Sequence, residues 1–120
     1  MPHEVRLEDG KLIIVFHGLE TLEAFKRRME FPVEHITSVS TSPHKWVEGL
    51  KLVGARLPGV VTEGIFLVDG KKVFFAMHHP ESCVTVELAG EAYSALVVDV
   101  DDKQRVAEEI AKATGLNVSD

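Results

Sequence analysis

A chain of 120 residues is long enough for one domain, 1–120, that buries roughly two thirds of the surface its unfolded form exposes. The single cysteine, Cys83, excludes an intramolecular disulfide. A formal net charge of −6 works against general attraction to nucleic acid or to anionic lipid headgroups, which reward clustered Lys and Arg. The opening residues, MPHEVRLEDG, have neither the basic start nor the apolar run of an export signal, and no apolar cluster approaches the ~20 residues of a membrane-spanning helix. The expectation is a cytoplasmic protein, or one peripheral to the membrane through a membrane protein or the lipid surface.

In chain order, residues 3 to 8 alternate weakly. Asp9-Gly10 supplies the left-handed turn of a two-residue hairpin, and Lys11 to Phe16 resumes as an apolar strand. From Gly18, Leu19, Leu22, Phe25 and Met29 recur at helical spacing, which predicts a short helix ending near Arg27. Pro32 turns Met29 to Val33 extended. Ile36 to Ser40 alternates with little apolar content after Ile36, which predicts a strand near a sheet edge. Trp46 to Val53 reads as a half-buried strand interrupted at Gly49, followed by turn signals at Pro58-Gly59.

Gly64 to Val68 and Lys71 to Met77 are β-rich runs joined by Asp69-Gly70, the strongest hairpin signal in the chain. After the break at His78 to Ser82, Cys83 to Leu88 alternates as a strand with one wet face. The stretch from Ala95 to Gly115 predicts a strand, a cap at Asp101 and a closing helix with Val106, Ala107, Ile110 and Ala113 as its apolar stripe and Gly115 at its end. These elements predict a mainly β, β-rich α+β fold: a sandwich or barrel of about seven antiparallel strands in two sheets, capped by a C-terminal α-helix.

The order of elements, together with Phe31-Pro32-Val33-Glu34-His35-Ile36-Thr37-Ser38-Val39, Gly54-Ala55-Arg56-Leu57-Pro58-Gly59, the Gly64 to Met77 hairpin and Leu96 to Asp102, resembles bacterial pleckstrin-homology-like (PH-like) domains. The resemblance implies two nearly orthogonal antiparallel sheets with the helix closing one end, and some similar proteins are membrane-linked or immunity proteins. Eukaryotic relatives of that fold include modules that hold phosphoinositides with Lys and Arg beside the first hairpin. Here that turn carries Arg6, Glu8, Asp9 and Lys11, whose charges cancel, so phosphoinositide binding is not expected.

Two groups of residues are candidates for function. His78-His79-Pro80-Glu81 and nearby Cys83 combine imidazole, carboxylate and thiol. Adjacent residues on a strand point to opposite faces, however, and no H-x-x-x-H or C-x-x-C spacing places two ligands on one metal, so a loop-end role is preferred to a metal site. Asp99, Asp101 and Asp102 could pass for a catalytic carboxylate cluster, but Asp101 and Asp102 stand where acidic groups cap a helix N-terminus and no His or Ser nearby would partner them, and Cys83 reads as a small buried residue. Lys45, Trp46, Arg56 and Leu57 form a candidate recognition surface, because Trp and Arg are common interface anchors; the competing reading puts Trp46 in the core. The leading expectation is a non-catalytic module without cofactor that binds a protein or peptide, or assembles with its own copies through strand edges near residues 36 to 53. The alternatives are a peripheral membrane-associated or immunity-type protein and a small metal-dependent enzyme using the histidines.

Overall fold

In the computed structural model of the chain, residues 3–16, 28–42, 46, 62–77 and 79–119 are described. The first hairpin joins β1 (Glu4–Glu8) to β2 (Lys11–Val15). Asp9 and Gly10 both take positive φ, 51° and 72°, the backbone that lets a two-residue turn follow the twist of its strands. β3 (Arg28–Pro32) pairs antiparallel with the other edge of β2 and completes a three-stranded sheet, order β1-β2-β3. Its outer face carries ion pairs: Arg6 with Glu4 and Glu8, and Glu30 with Lys11 and Arg28. The inner face sends Leu12, Ile14 and Phe31 into the main core.

The remaining strands are β4 (Ile36–Ser40), β5 (Thr62–Val68), β6 (Lys71–Met77), β7 (Cys83–Leu88), β8 (Ala95–Asp99) and β9 (Val118–Ser119). They form one six-stranded sheet in the order β5-β6-β8-β7-β4-β9. The second Asp-Gly hairpin forms as expected, with Asp69 and Gly70 at φ 52° and 78° and an unbroken register from Thr62↔Met77 to Val68↔Lys71.

The sheet is mixed, not antiparallel throughout. The connection from β6 to β7, which contains the 3₁₀ turn Pro80–Ser82, leaves one strand position open between them. β8 folds back from β7 as a hairpin partner and fills it, so it is antiparallel to β7 and parallel to β6. β9 reaches β4 after the C-terminal helix and is also parallel to its neighbour. Among the described residues there are nine strands in two open sheets, and no strand pairing closes them into a barrel.

The C-terminal helix, α1, spans Lys103–Thr114 and buries Val106, Ala107, Ile110 and Ala111. Ala111 thus takes the place in the buried stripe that periodicity gave to Ala113. The cap is Asp102, whose side chain accepts from the Arg105 backbone N–H at 3.1 Å. The expected cap at Asp101 is displaced by one residue, because it is Asp102 that stands three positions before a free N–H of the first turn. Gly115, at φ 78°, ends the helix with its N–H bonded to the Ala111 carbonyl. At 12 residues α1 is no membrane span, and no helix among the described residues is long and apolar enough to cross a membrane.

The central strands of the larger sheet, β6, β8 and β7, are buried on both faces for most of their length. Alternate residues of β6, β7 and β8 send Phe74, Ala76, Val84, Val86, Leu96 and Val98 toward the small sheet and α1. Their neighbours Val73, Phe75, Met77, Cys83, Ala95 and Val97 form a second cluster with Trp46. The wet face expected of β7 is therefore absent: Cys83 and Thr85 are buried like Val84 and Val86. β4 is not an edge along its whole length, since β9 pairs with it at Val39 and Ser40. Trp46 has helical rather than extended backbone. The rest of the expected strand to Val53, the turn at Pro58-Gly59 and the helix expected from Gly18 to Arg27 lie outside the described residues.

Candidate functional site

Cys83 opens β7 and Asp99 closes β8, and the two are paired across the strands. Both side chains fall on the second-core face, which brings a thiol and a carboxylate together in an apolar setting. Cys83 Sγ donates to Asp99 Oδ1 at 3.1 Å, and the Asp99 carboxylate also accepts the His79 backbone N–H at 3.2 to 3.3 Å. Ser82 N–H bonds the His79 carbonyl, Val100 N–H bonds the Ser82 carbonyl, and His3 N–H bonds the Asp99 carbonyl. Asp99 is thus the anchor of the Pro80–Ser82 turn.

A cysteine nucleophile needs its thiolate. Cys83 is fully buried, and burial, reinforced by the hydrogen bond to the Asp99 carboxylate, pushes its pKa far up. The pair therefore holds a protonated donor against a buried acceptor. Its chemistry is that of a structural tie. A second tie runs from Thr85 Oγ1 to the Ser42 carbonyl at 3.1 Å, fixing the bend after β4 to the same face. A third joins His35 Nδ1 to Glu91 Oε2 at 2.5 Å, linking the 3₁₀ turn Val33–His35 to the loop between β7 and β8.

Of the six residues singled out from the sequence, Trp46 and His79 are described. Trp46 is buried at 3% exposure, on the core side of the two readings, with Lys71 Nζ 6.0 Å from its ring centroid. His79 is exposed, with Nδ1 3.7 Å from Glu81 Oε1. Lys45, Arg56, Leu57 and His78 lie outside the described residues. Among the described residues, no group of three His, Cys, Asp or Glu side chains is arranged to hold a metal ion.

The feature that sequence reasoning missed is the free side of β5. Among the described residues, no strand pairs with it. A two-residue turn makes Val68 and Lys71 a hydrogen-bonded pair, so the N–H and C=O groups of Ile65 and Leu67 point away from β6. Leu67 is 61% exposed, the one large hydrophobic side chain so exposed among the described residues. A signal was present. Ile65-Phe66-Leu67-Val68 is continuously apolar, whereas a strand with a solvated face should alternate.

No family model, no curated protein and no solved structure matches this chain.

Proposed function

We propose that this protein is a non-catalytic binding module of PH-like architecture that recognises a protein or peptide, its own copies included, through an exposed strand edge. The observation that carries the reading is the outer edge of β5, where outward backbone groups of Ile65 and Leu67 coincide with an exposed leucine. Strand addition takes its affinity from main-chain hydrogen bonds and its selectivity from alternate side chains, and this edge offers both.

Two further observations support it. The buried thiol and carboxylate are engaged with each other and with the turn they hold, which suits a scaffold better than a reaction centre. The charges around the first hairpin are spent on one another, Arg6 on Glu4 and Glu8 and Lys11 on Glu30, which suits protein recognition better than anchoring on phosphate headgroups. The test is affinity capture from lysate with the full chain and with Leu67→Lys, alongside sedimentation of the purified protein. Capture or self-association that the substitution abolishes supports the reading. A monomer that enriches nothing refutes it.

A further inference from the structure

Among the described residues the two sheets present four edges, and they are not treated alike. β1 carries Glu4, Arg6 and Glu8 in ion pairs along its length. β3 carries Arg28, Glu30 and Pro32. β9 has only two residues. Charges, proline and shortness are the usual means of keeping a strand edge from pairing with another chain. β5 carries Glu63 near its start, but from Gly64 to Val68 it has none of them: that stretch is uncharged, lacks proline, and keeps an unbroken register with β6. Among the described residues, three edges are blunted and the Gly64 to Val68 part of the fourth is left regular, apolar and open.

The order of side chains on that edge suggests what pairs with it. Ile65-Phe66-Leu67 reads aliphatic, aromatic, aliphatic in both directions. An antiparallel copy related by a two-fold axis through Phe66 would set Ile65 opposite Leu67 of the second copy and Leu67 opposite its Ile65, both as hydrogen-bonded pairs, because these are the residues whose backbone groups point outward. Leu67 would lose its exposure against a β-branched neighbour. On the other face, Phe66 would meet its own symmetry mate. Phe66 already lies edge-on to Phe75, with centroids 5.6 Å apart, so the aromatic pair would extend a packed row and not start a new one. The same register sets Glu63 of each copy opposite Asp69 of the other, so like charges at its two ends confine the contact to the uncharged residues between them and weaken it.

Resting on the binding-module reading above, we infer that β5 is a self-recognition edge: two copies of this chain join antiparallel along Ile65 to Leu67, merging two six-stranded sheets into one continuous sheet across a closed two-fold. The contact is short, so the dimer is weak and concentration-dependent.

Sedimentation velocity and residue-resolved amide exchange, each on the full chain from about 10 µM to about 1 mM, test this. The expected result is a monomer–dimer equilibrium in which the amides of Ile65 and Leu67 exchange roughly tenfold more slowly at the high end, while those of β1 do not change. Leu67→Pro removes an outward N–H without touching a bond to β6, and Leu67→Lys places a charge on the edge. Each should weaken dimerisation at least about tenfold, with far-UV circular dichroism unchanged; if the proline variant fails to fold, the lysine variant decides. A monomer at every concentration overturns the inference. So does a dimer indifferent to both substitutions, which would place the contact elsewhere. Either outcome leaves the binding-module reading standing if capture of a partner remains sensitive to Leu67→Lys, and removes it if nothing is captured.

Discussion

Cys83 should make the stability of this fold decline at alkaline pH, and its surroundings set the size of the expected decline. The thiol is fully buried, and burial first, then its hydrogen bond to Asp99, raises its pKa far above the ordinary value. In the unfolded chain the same thiol ionises near pH ~8.5. Because the folded pKa is the higher one, the unfolded state holds fewer protons in alkali. The contribution is therefore fully present below about pH 8.5 and falls by about 1.4 kcal/mol for each pH unit above it, until the folded thiol itself ionises. Between about pH 7.5 and about pH 10 the loss comes to about 2 kcal/mol, or roughly 1 to 2 M in the urea midpoint. Urea titrations of the wild type and of Cys83→Ala at both pH values isolate the effect, since every other residue is common to the two chains. The native thiol should also resist a colorimetric thiol reagent until urea unfolds the protein. Parallel pH dependence in the two chains, or prompt reaction of the native thiol, would refute the burial argument.

Three stability measurements address the rest of the frame. Ile110 is fully buried in the main core, and Ile110→Ala should cost about 2 to 5 kcal/mol in a denaturant titration; a benign substitution would mean that α1 does not pack as described. Asp102→Ala should cost about 1 kcal/mol through loss of the bond to Arg105 N–H, while Asp101→Ala should stay within about 0.5 kcal/mol; the reverse ranking would move the cap back by one residue. Gly70 sits at φ 78° with open space where a Cβ would lie, so Gly70→Ala should cost about 1 to 2 kcal/mol for conformational reasons alone, and an unchanged thermal midpoint would argue against the type of turn assigned there.

Local signals were legible in the residues, and long-range ones were not. Both Asp-Gly turns, the strands they join, the helix stripe through Ile110 and the stop at Gly115 follow from rules that act within a few positions. The parallel placement of β8 beside β6 depends on which strand fills a gap, and no period in the sequence encodes that. The wet face assigned to β7 failed because Thr85 and Cys83, polar by type, face a second apolar cluster and find their partners in Ser42 and Asp99. β9 is two residues long, too short to leave a pattern. Asp99 has no role that its neighbours in the sequence reveal: its partners, His79 and Cys83, meet it only once β7 lies next to β8. Leu67 was hidden differently, since one apolar residue among four reads as core until the strand is known to stand at an edge.

β8 follows β6 and β7 in the sequence yet lies between them in space, with Val73↔Ala95 and Val84↔Val98 on its two sides. The order of assembly is thereby constrained. Until residues 95 to 99 are in place, β6 and β7 have no strand in common, and each exposes an apolar margin. A chain stopped at Ser94 would carry β5 with β6 and β4 with β7 as two separate hydrophobic ribbons. The large sheet of this protein therefore becomes continuous only when one five-residue strand slides into a slot that both ribbons must already frame.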